Sequence, residues 1–91
     1  MKPRRAVLTP ELDDWCAHAD EAERTTAVVR LAPGSDPDRA TSRLEAIGME
    51  VASSGPGSVI GNVSPGALRR IGRERWVVAV EQPHRLRPLG G

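Results

Sequence analysis

Apolar positions with helical spacing recur three times along the chain, and each stretch opens with the same start signal. Thr9, Asp36 and Ser64 are each followed directly by proline, the pattern of a helix N-cap and a first helical residue. The first apolar stripe, at i, i+3, i+4 and i+7, consists of Leu12, Trp15, Cys16 and Ala19. The later stripes are Ala40, Leu44 and Ile47, and then Ala67, Leu68 and Ile71. We therefore predict three helices, the first an amphipathic helix over residues 10–24.

Short stretches rich in β-branched residues lie between and after these helices and predict four strands. They cover residues 26–31, 49–53, 58–63 and 76–80. The order after residue 25 is βαββαβ, which predicts an α+β fold: a ferredoxin-like sandwich with a four-stranded antiparallel sheet and two helices on one face. The N-terminal helix is additional. We divide the chain into an N-terminal extension over residues 1–24, a ferredoxin-like domain over 25–82 and an extended tail over 83–91.

The strand patterns predict a partly apolar outer face on the sheet. A sheet with helices on one side should alternate apolar and polar residues, but residues 76–80 are apolar throughout and residues 27–29 hardly alternate. Large exposed apolar patches are uncommon on free monomers. We therefore expect a docking face that includes Val28, Trp76 and Val78. Its cover is the N-terminal helix, a second copy of the chain in a homodimer, or another protein.

Composition limits the chemistry available to the chain. It has 91 residues, no Tyr or Phe, two Trp and a single cysteine, which excludes an internal disulfide and a CxxC metal site. Cys16 and His18 stand two apart on a helix and so point in different directions. No catalytic, cofactor or metal-binding pattern emerges, and we predict a protein that is not an enzyme and holds no metal or cofactor.

The sequence also bears on location. No stretch approaches the eighteen or so apolar residues of a membrane span, and the basic N-terminus lacks the apolar run of a secretory signal. We therefore expect a cytoplasmic protein with no membrane partner. All basic residues but Lys2 are arginine, a usage typical of GC-rich bacterial genomes.

Arginines are concentrated in the second half of the chain. They are Arg69, Arg70, Arg73, Arg75, Arg85 and Arg87. The simplest interpretation is a solvated helix face and tail; an acidic partner surface or RNA are the functional alternatives. RNA-recognition modules share the βαββαβ order but place aromatic residues on the central strands. Since Trp76 is the one aromatic residue in the predicted strands, we do not expect nucleic-acid binding.

Three short motifs follow one another within residues 25–89. The first is TAVVRLAPG at residues 26–34, the second is GNVS at 61–64, and the third is VVAVE at 77–81. Their order and spacing resemble the subtilisin propeptides and related peptidase inhibitors. The first corresponds to that family's opening strand and turn, the second to its G-x-V-S step before a helix, and the third to its closing V-x-x-V-E strand.

The resemblance implies a function for the sheet face and for the tail. In that family the open sheet face docks on two surface helices of a subtilisin-like serine protease, and the following segment lies in the substrate cleft like a product. By position, Leu89 would fill the primary specificity pocket, Pro88 and Arg87 would come next inward, and Leu86 would fill the hydrophobic pocket further upstream. Such binding is β-augmentation, with main-chain hydrogen bonds and side chains in pockets. The implied role is an inhibitor or folding chaperone of such a protease.

The sequence departs from that family and leaves other interpretations open. The N-terminal helix is extra, and Gln82-Pro83 replaces the acid that the family has after Glu81. Neither a secretory signal nor a protease domain is present, so the chain is expected to act in trans. The alternative is a ferredoxin-like adaptor or oligomerisation domain of a multiprotein assembly. The terminal residues 89–91 (LGG) also resemble the tails of ubiquitin-like modifiers, whose β-grasp order, ββαββ, the predicted elements do not show.

Overall fold

The structure, a computed structural model, describes residues 7–83. Its elements are α1 (Pro10–His18), β1 (Thr25–Leu31), α2 (Pro37–Ile47), β2 (Glu50–Gly55), β3 (Ser58–Val63), α3 (Pro65–Ile71) and β4 (Val77–Glu81). The protein is α+β, with three helices and an open antiparallel sheet in the order β2-β3-β1-β4. The predicted class is thus confirmed, and the arrangement is compatible with a ferredoxin-like fold. The element order is not that of a β-grasp modifier.

Each helix begins at the N-cap residue and proline that the sequence predicts. Each cap side chain accepts a hydrogen bond from a backbone N–H of the first turn, and proline occupies the first helical position. The pairs are Thr9 with Leu12, Asp36 with Asp38, and Ser64 with Ala67. At the other end of α2, Gly48 adopts a φ of 125°, which glycine enters without the steric cost of a Cβ atom.

The first helix is shorter than predicted, because it ends at His18 and not at residue 24. Ala19 has extended backbone angles, φ −78° and ψ 149°. Only Ala22 follows it at helical spacing before β1, and Ala22 is exposed. A longer helix would therefore bury little more, and packing supplies most helix stability. The next segment is instead held against α3, where the Glu21 carboxylate accepts the Gly66 N–H at 3.1 Å.

The core lies between the sheet and a layer formed by all three helices. Its fully buried aliphatic side chains include Leu12, Val29, Leu44, Val59, Val63, Leu68, Ile71, Val77 and Val80. From α1, Leu12 and Cys16 join this core, and the Cys16 thiol donates to the Pro65 carbonyl at 3.1 Å. The N-terminal helix therefore packs beside α3. It does not cover the outer face of the sheet, which removes one of the three covers considered for that face.

A bulge in β4 explains why its sequence does not alternate. The pairs Arg30–Ala79 and Leu31–Val77 leave Val78 without a partner on β1. The extra residue allows both Val77 and Val80 to be buried in the core, while Val78 is 45% exposed. The apolar run therefore does not make the whole outer face of this strand apolar.

The outer edge of β4 is partly covered by the residues that lead into α1. The Val80 N–H donates to the Val7 carbonyl at 2.8 Å, and the Thr9 N–H donates to the Val80 carbonyl at 3.2 Å. Leu8 and Val80 form a parallel bridge there. Unpaired strand edges invite association with other chains, so these contacts protect β4 and fix where α1 begins. Within residues 7–83, no helix combines the length and apolar content that crossing a bilayer requires.

Candidate protein-binding face

The strand register arranges the outer side chains of the sheet in three rows; we call this surface, turned away from the helices, the open face. The middle row is Ser53, Ile60, Val28 and Glu81. One flanking row is Glu50, Asn62 and Thr26, and the other is Gly55, Ser58, Arg30 and Ala79. Polar residues thus outnumber apolar ones, and the face is less apolar than the sequence suggested.

The apolar side chains of the open face run from its middle to the edge strand β4. Val28 and Ile60 stand opposite one another on the two central strands, and both are half-buried. Half-buried Ala79 and exposed Val78 extend this surface towards β4. We call these four residues the apolar centre. An apolar middle within a polar rim is the organisation of many protein–protein interfaces, which as a whole are no more apolar than the remaining surface.

Polar contacts order the rim around the apolar centre. Arg30 and Glu81 form an ion pair across β1 and β4, and the Thr26 hydroxyl donates to the Asn62 side-chain oxygen at 2.9 Å. The ion pair is largely solvated, so it contributes little to stability. Charged rim groups chiefly affect the rate and specificity of association. Glu81 is also the last residue of β4 and lies opposite Val28, so the chain leaves the sheet beside the apolar centre.

The structure separates Trp76 from the other two residues predicted for the docking face. Val28 lies in the middle row and Val78 at the bulge, but Trp76 precedes β4, which begins at Val77. Its half-buried side chain lines a groove beside α2, and its indole N–H donates to the Glu74 carboxylate at 2.9 Å. Trp76 therefore does not share the open face with Val28 and Val78, because it belongs to the turn before β4 and its side chain lies beside α2.

The four tail residues named for protease binding, Leu86, Arg87, Pro88 and Leu89, lie outside the described residues. Their product-like role stays a prediction. What the described part of the chain shows is where the tail begins, at residues 82 and 83 directly after β4.

Cys16 and His18 are set apart in the structure. Cys16 is buried against α3, and this burial raises the pKa of its thiol, an effect that nearby Arg69 partly opposes. His18 is exposed and lies 3.4 Å from the Asp14 carboxylate. Among the residues described, no three His, Cys, Asp or Glu side chains are grouped so that they could hold a metal ion.

The sequence did not reveal the groove beside Trp76. Its walls carry Arg39 and Arg43 from α2, and Arg73 and Arg75 from the connection between α3 and β4. The sequence did offer one indication of the groove: Arg39 and Arg43 are four residues apart, which places both on one face of a helix. Nothing local connects that pair with Arg73 and Arg75, which lie thirty or more positions later in the chain.

The motifs of the propeptide resemblance each have a structural role here. The first forms β1, and the third coincides with β4. Within the second, Gly61 permits a close approach of β2, while Ser64 caps α3. Comparison of the chain with protein-family models, with curated proteins and with solved structures found no match. The structural roles of the three motifs in β1, β3, α3 and β4 are therefore sufficient to account for their presence.

Proposed function

We propose that this protein is a protein-binding domain of ferredoxin-like fold that docks its open face on a partner protein. The partner we propose is a subtilisin-like serine protease, which the chain inhibits or helps to fold. The observation that carries the proposal is the apolar centre, which residues 7–83 leave uncovered although all three helices pack on the opposite side of the sheet.

The geometry of β4 supports the choice of partner. Because β4 ends at Glu81, opposite Val28, a partner seated on the open face would lie beside the start of the tail. An extended segment can then add to a strand of the partner, with its side chains filling alternate pockets. In this arrangement Leu86 and Leu89 occupy apolar pockets of the substrate cleft, and the open face supplies the remaining contact area.

Inhibition of a broad-specificity subtilisin tests this proposal. We expect the intact chain to inhibit hydrolysis of a chromogenic peptide at micromolar concentration or below. Val28→Asp would place a charge in the apolar centre and raise the inhibition constant at least tenfold. Ala17→Asp introduces the same side chain at an exposed position of α1 and serves as the matched control. Leu89→Asp should also weaken inhibition, through the tail.

Several results would contradict the proposal. The absence of inhibition by the intact chain, or equal effects of Val28→Asp and Ala17→Asp, would exclude docking through the open face. Circular dichroism of each variant confirms that a loss of inhibition is not a loss of fold. A stable dimer in sedimentation equilibrium that Val28→Asp dissociates, without protease inhibition, would instead identify the adaptor or oligomerisation domain.

A further inference from the structure

Arginines on two facing walls line a groove between α2 and the connection from α3 to β4. Arg39 and Arg43 lie one helical turn apart on α2, and Arg73 and Arg75 lie on the connection; all four are exposed. The groove has a volume of about 810 Å³, and half-buried Trp76 also lines it. We call this feature the arginine groove. It belongs to the helical layer and is separate from the open face.

The positive charge of the groove is only partly compensated. Four guanidinium groups share the groove with the carboxylates of Asp36 and Glu74. The Asp36 carboxylate caps α2, and the Glu74 carboxylate accepts the Trp76 indole N–H and lies 3.7 Å from Arg43. The other three arginines have no carboxylate partner within residues 7–83. Like charges held close together raise the free energy of the site, so the groove favours an anionic ligand.

The shape of the site favours an extended ligand. A second, smaller depression shares Arg43, Arg73 and Glu74 with the groove and reaches Ile47 on α2, and Arg70 also lines it. The eleven residues of α2, Pro37–Ile47, span about 16 Å. An extended peptide covers that distance with roughly five residues. Guanidinium groups bind carboxylates through two parallel hydrogen bonds, so arginines spread along such a path suit a chain that carries several carboxylates.

We propose that the arginine groove binds an extended acidic peptide segment of a partner protein. Its Asp or Glu side chains pair with Arg39, Arg43, Arg73 and Arg75, and an apolar side chain packs on Trp76. A peptide can offer backbone N–H donors to Asp36 and Glu74 while its carboxylates pair with the arginines, whereas a phosphodiester backbone has no donor for these two carboxylates. The protein then has two binding surfaces, one on each layer.

Fluorescence anisotropy of a labelled eight-residue peptide of alternating glutamate and leucine tests the proposal. Replacing each glutamate by glutamine should weaken binding at least tenfold. The double variant Arg39→Gln, Arg73→Gln should also weaken it at least tenfold. The control is Arg24→Gln, Arg69→Gln, which makes the same change in net charge at two exposed arginines outside the groove and off the open face. We expect it to change the dissociation constant less than twofold.

Four results would overturn the proposal. They are the absence of peptide binding, equal losses in the two double variants, tighter binding of a single-stranded oligothymidylate of equal charge, and self-association that Arg39→Gln, Arg73→Gln abolishes. The third would assign the groove to nucleic acid. The fourth would make a second copy of the chain the occupant, through the exposed acidic residues Glu11, Asp13 and Asp14.

Discussion

Gly61 is the position where the sheet is most sensitive to one added methyl group. It lies on β3, between Val51 of β2 and Ala27 of β1. A Cβ atom there would overlap the Glu50 carbonyl oxygen and lie 2.9 Å from the Val51 Cα atom. Both are backbone atoms, so no side-chain rotation relieves the clash. In Gly61→Ala, β2 has to move away from β3.

The cost follows from two opposing contributions. Forcing extra volume into a packed site costs about 1–3 kcal/mol, and we expect the upper part of that range because backbone must shift. Replacing glycine by alanine also restricts the unfolded chain, which returns about 0.4–1 kcal/mol. The expected net loss in the free energy of unfolding is about 2 kcal/mol. In a domain of this size that lowers Tm by roughly 8–16 °C.

Urea denaturation measures this loss through the fluorescence of the two half-buried tryptophans, Trp15 and Trp76. Gly55→Ala is the matched control, since a Cβ atom at this β2 position meets nothing within 4 Å. Its free energy of unfolding should equal that of the parent chain within about 0.5 kcal/mol. If Gly61→Ala were equally neutral, the close packing of β2 on β3 would be refuted.

Two further predictions concern the helical layer. Burial raises the pKa of the Cys16 thiol above its ordinary 9.0, so its contribution to stability is fully present below that pH and is lost as pH rises through the folded-state pKa. The free energy of unfolding, measured in urea, should be lower at pH 10.5 than at pH 8, and Cys16→Ala should reduce this difference. An equal difference in Cys16→Ala would contradict the prediction. Ser64→Ala removes the cap on the Ala67 N–H and should cost about 1 kcal/mol in urea denaturation, whereas Ser64→Asp should restore most of it; no difference between the two variants would show that the cap is dispensable.

The sequence predicts those parts of the fold that nearby residues determine. Thr9, Asp36 and Ser64 each begin a helix because cap and proline act within one turn. The end of α1 is harder to predict, because the segment that follows it contacts a distant part of the chain, where Glu21 accepts the Gly66 N–H. Acidic residues after the last apolar position were the available signal that the helix stops earlier.

The candidate site is less predictable because it depends on register and on contacts between distant segments. The weak alternation of residues 27–29 predicted Val28 on an apolar outer face, and the structure has Val28 in the middle row of that face. The same reasoning included Trp76, which the structure places in the turn before β4 and not in the strand. The arginine groove arises from a contact between α2 and a later connection, and no periodicity in the sequence reports such a contact.

Amide chemical-shift mapping of the labelled chain, titrated with a catalytically inactive subtilisin, tests the central claim most directly. We predict that the largest shifts fall on the open face, at Val28, Ile60 and Ala79, together with the residues that follow Glu81. Shifts concentrated on α1 or α2, or spectra unchanged at a saturating concentration of the protease, would contradict docking through the open face.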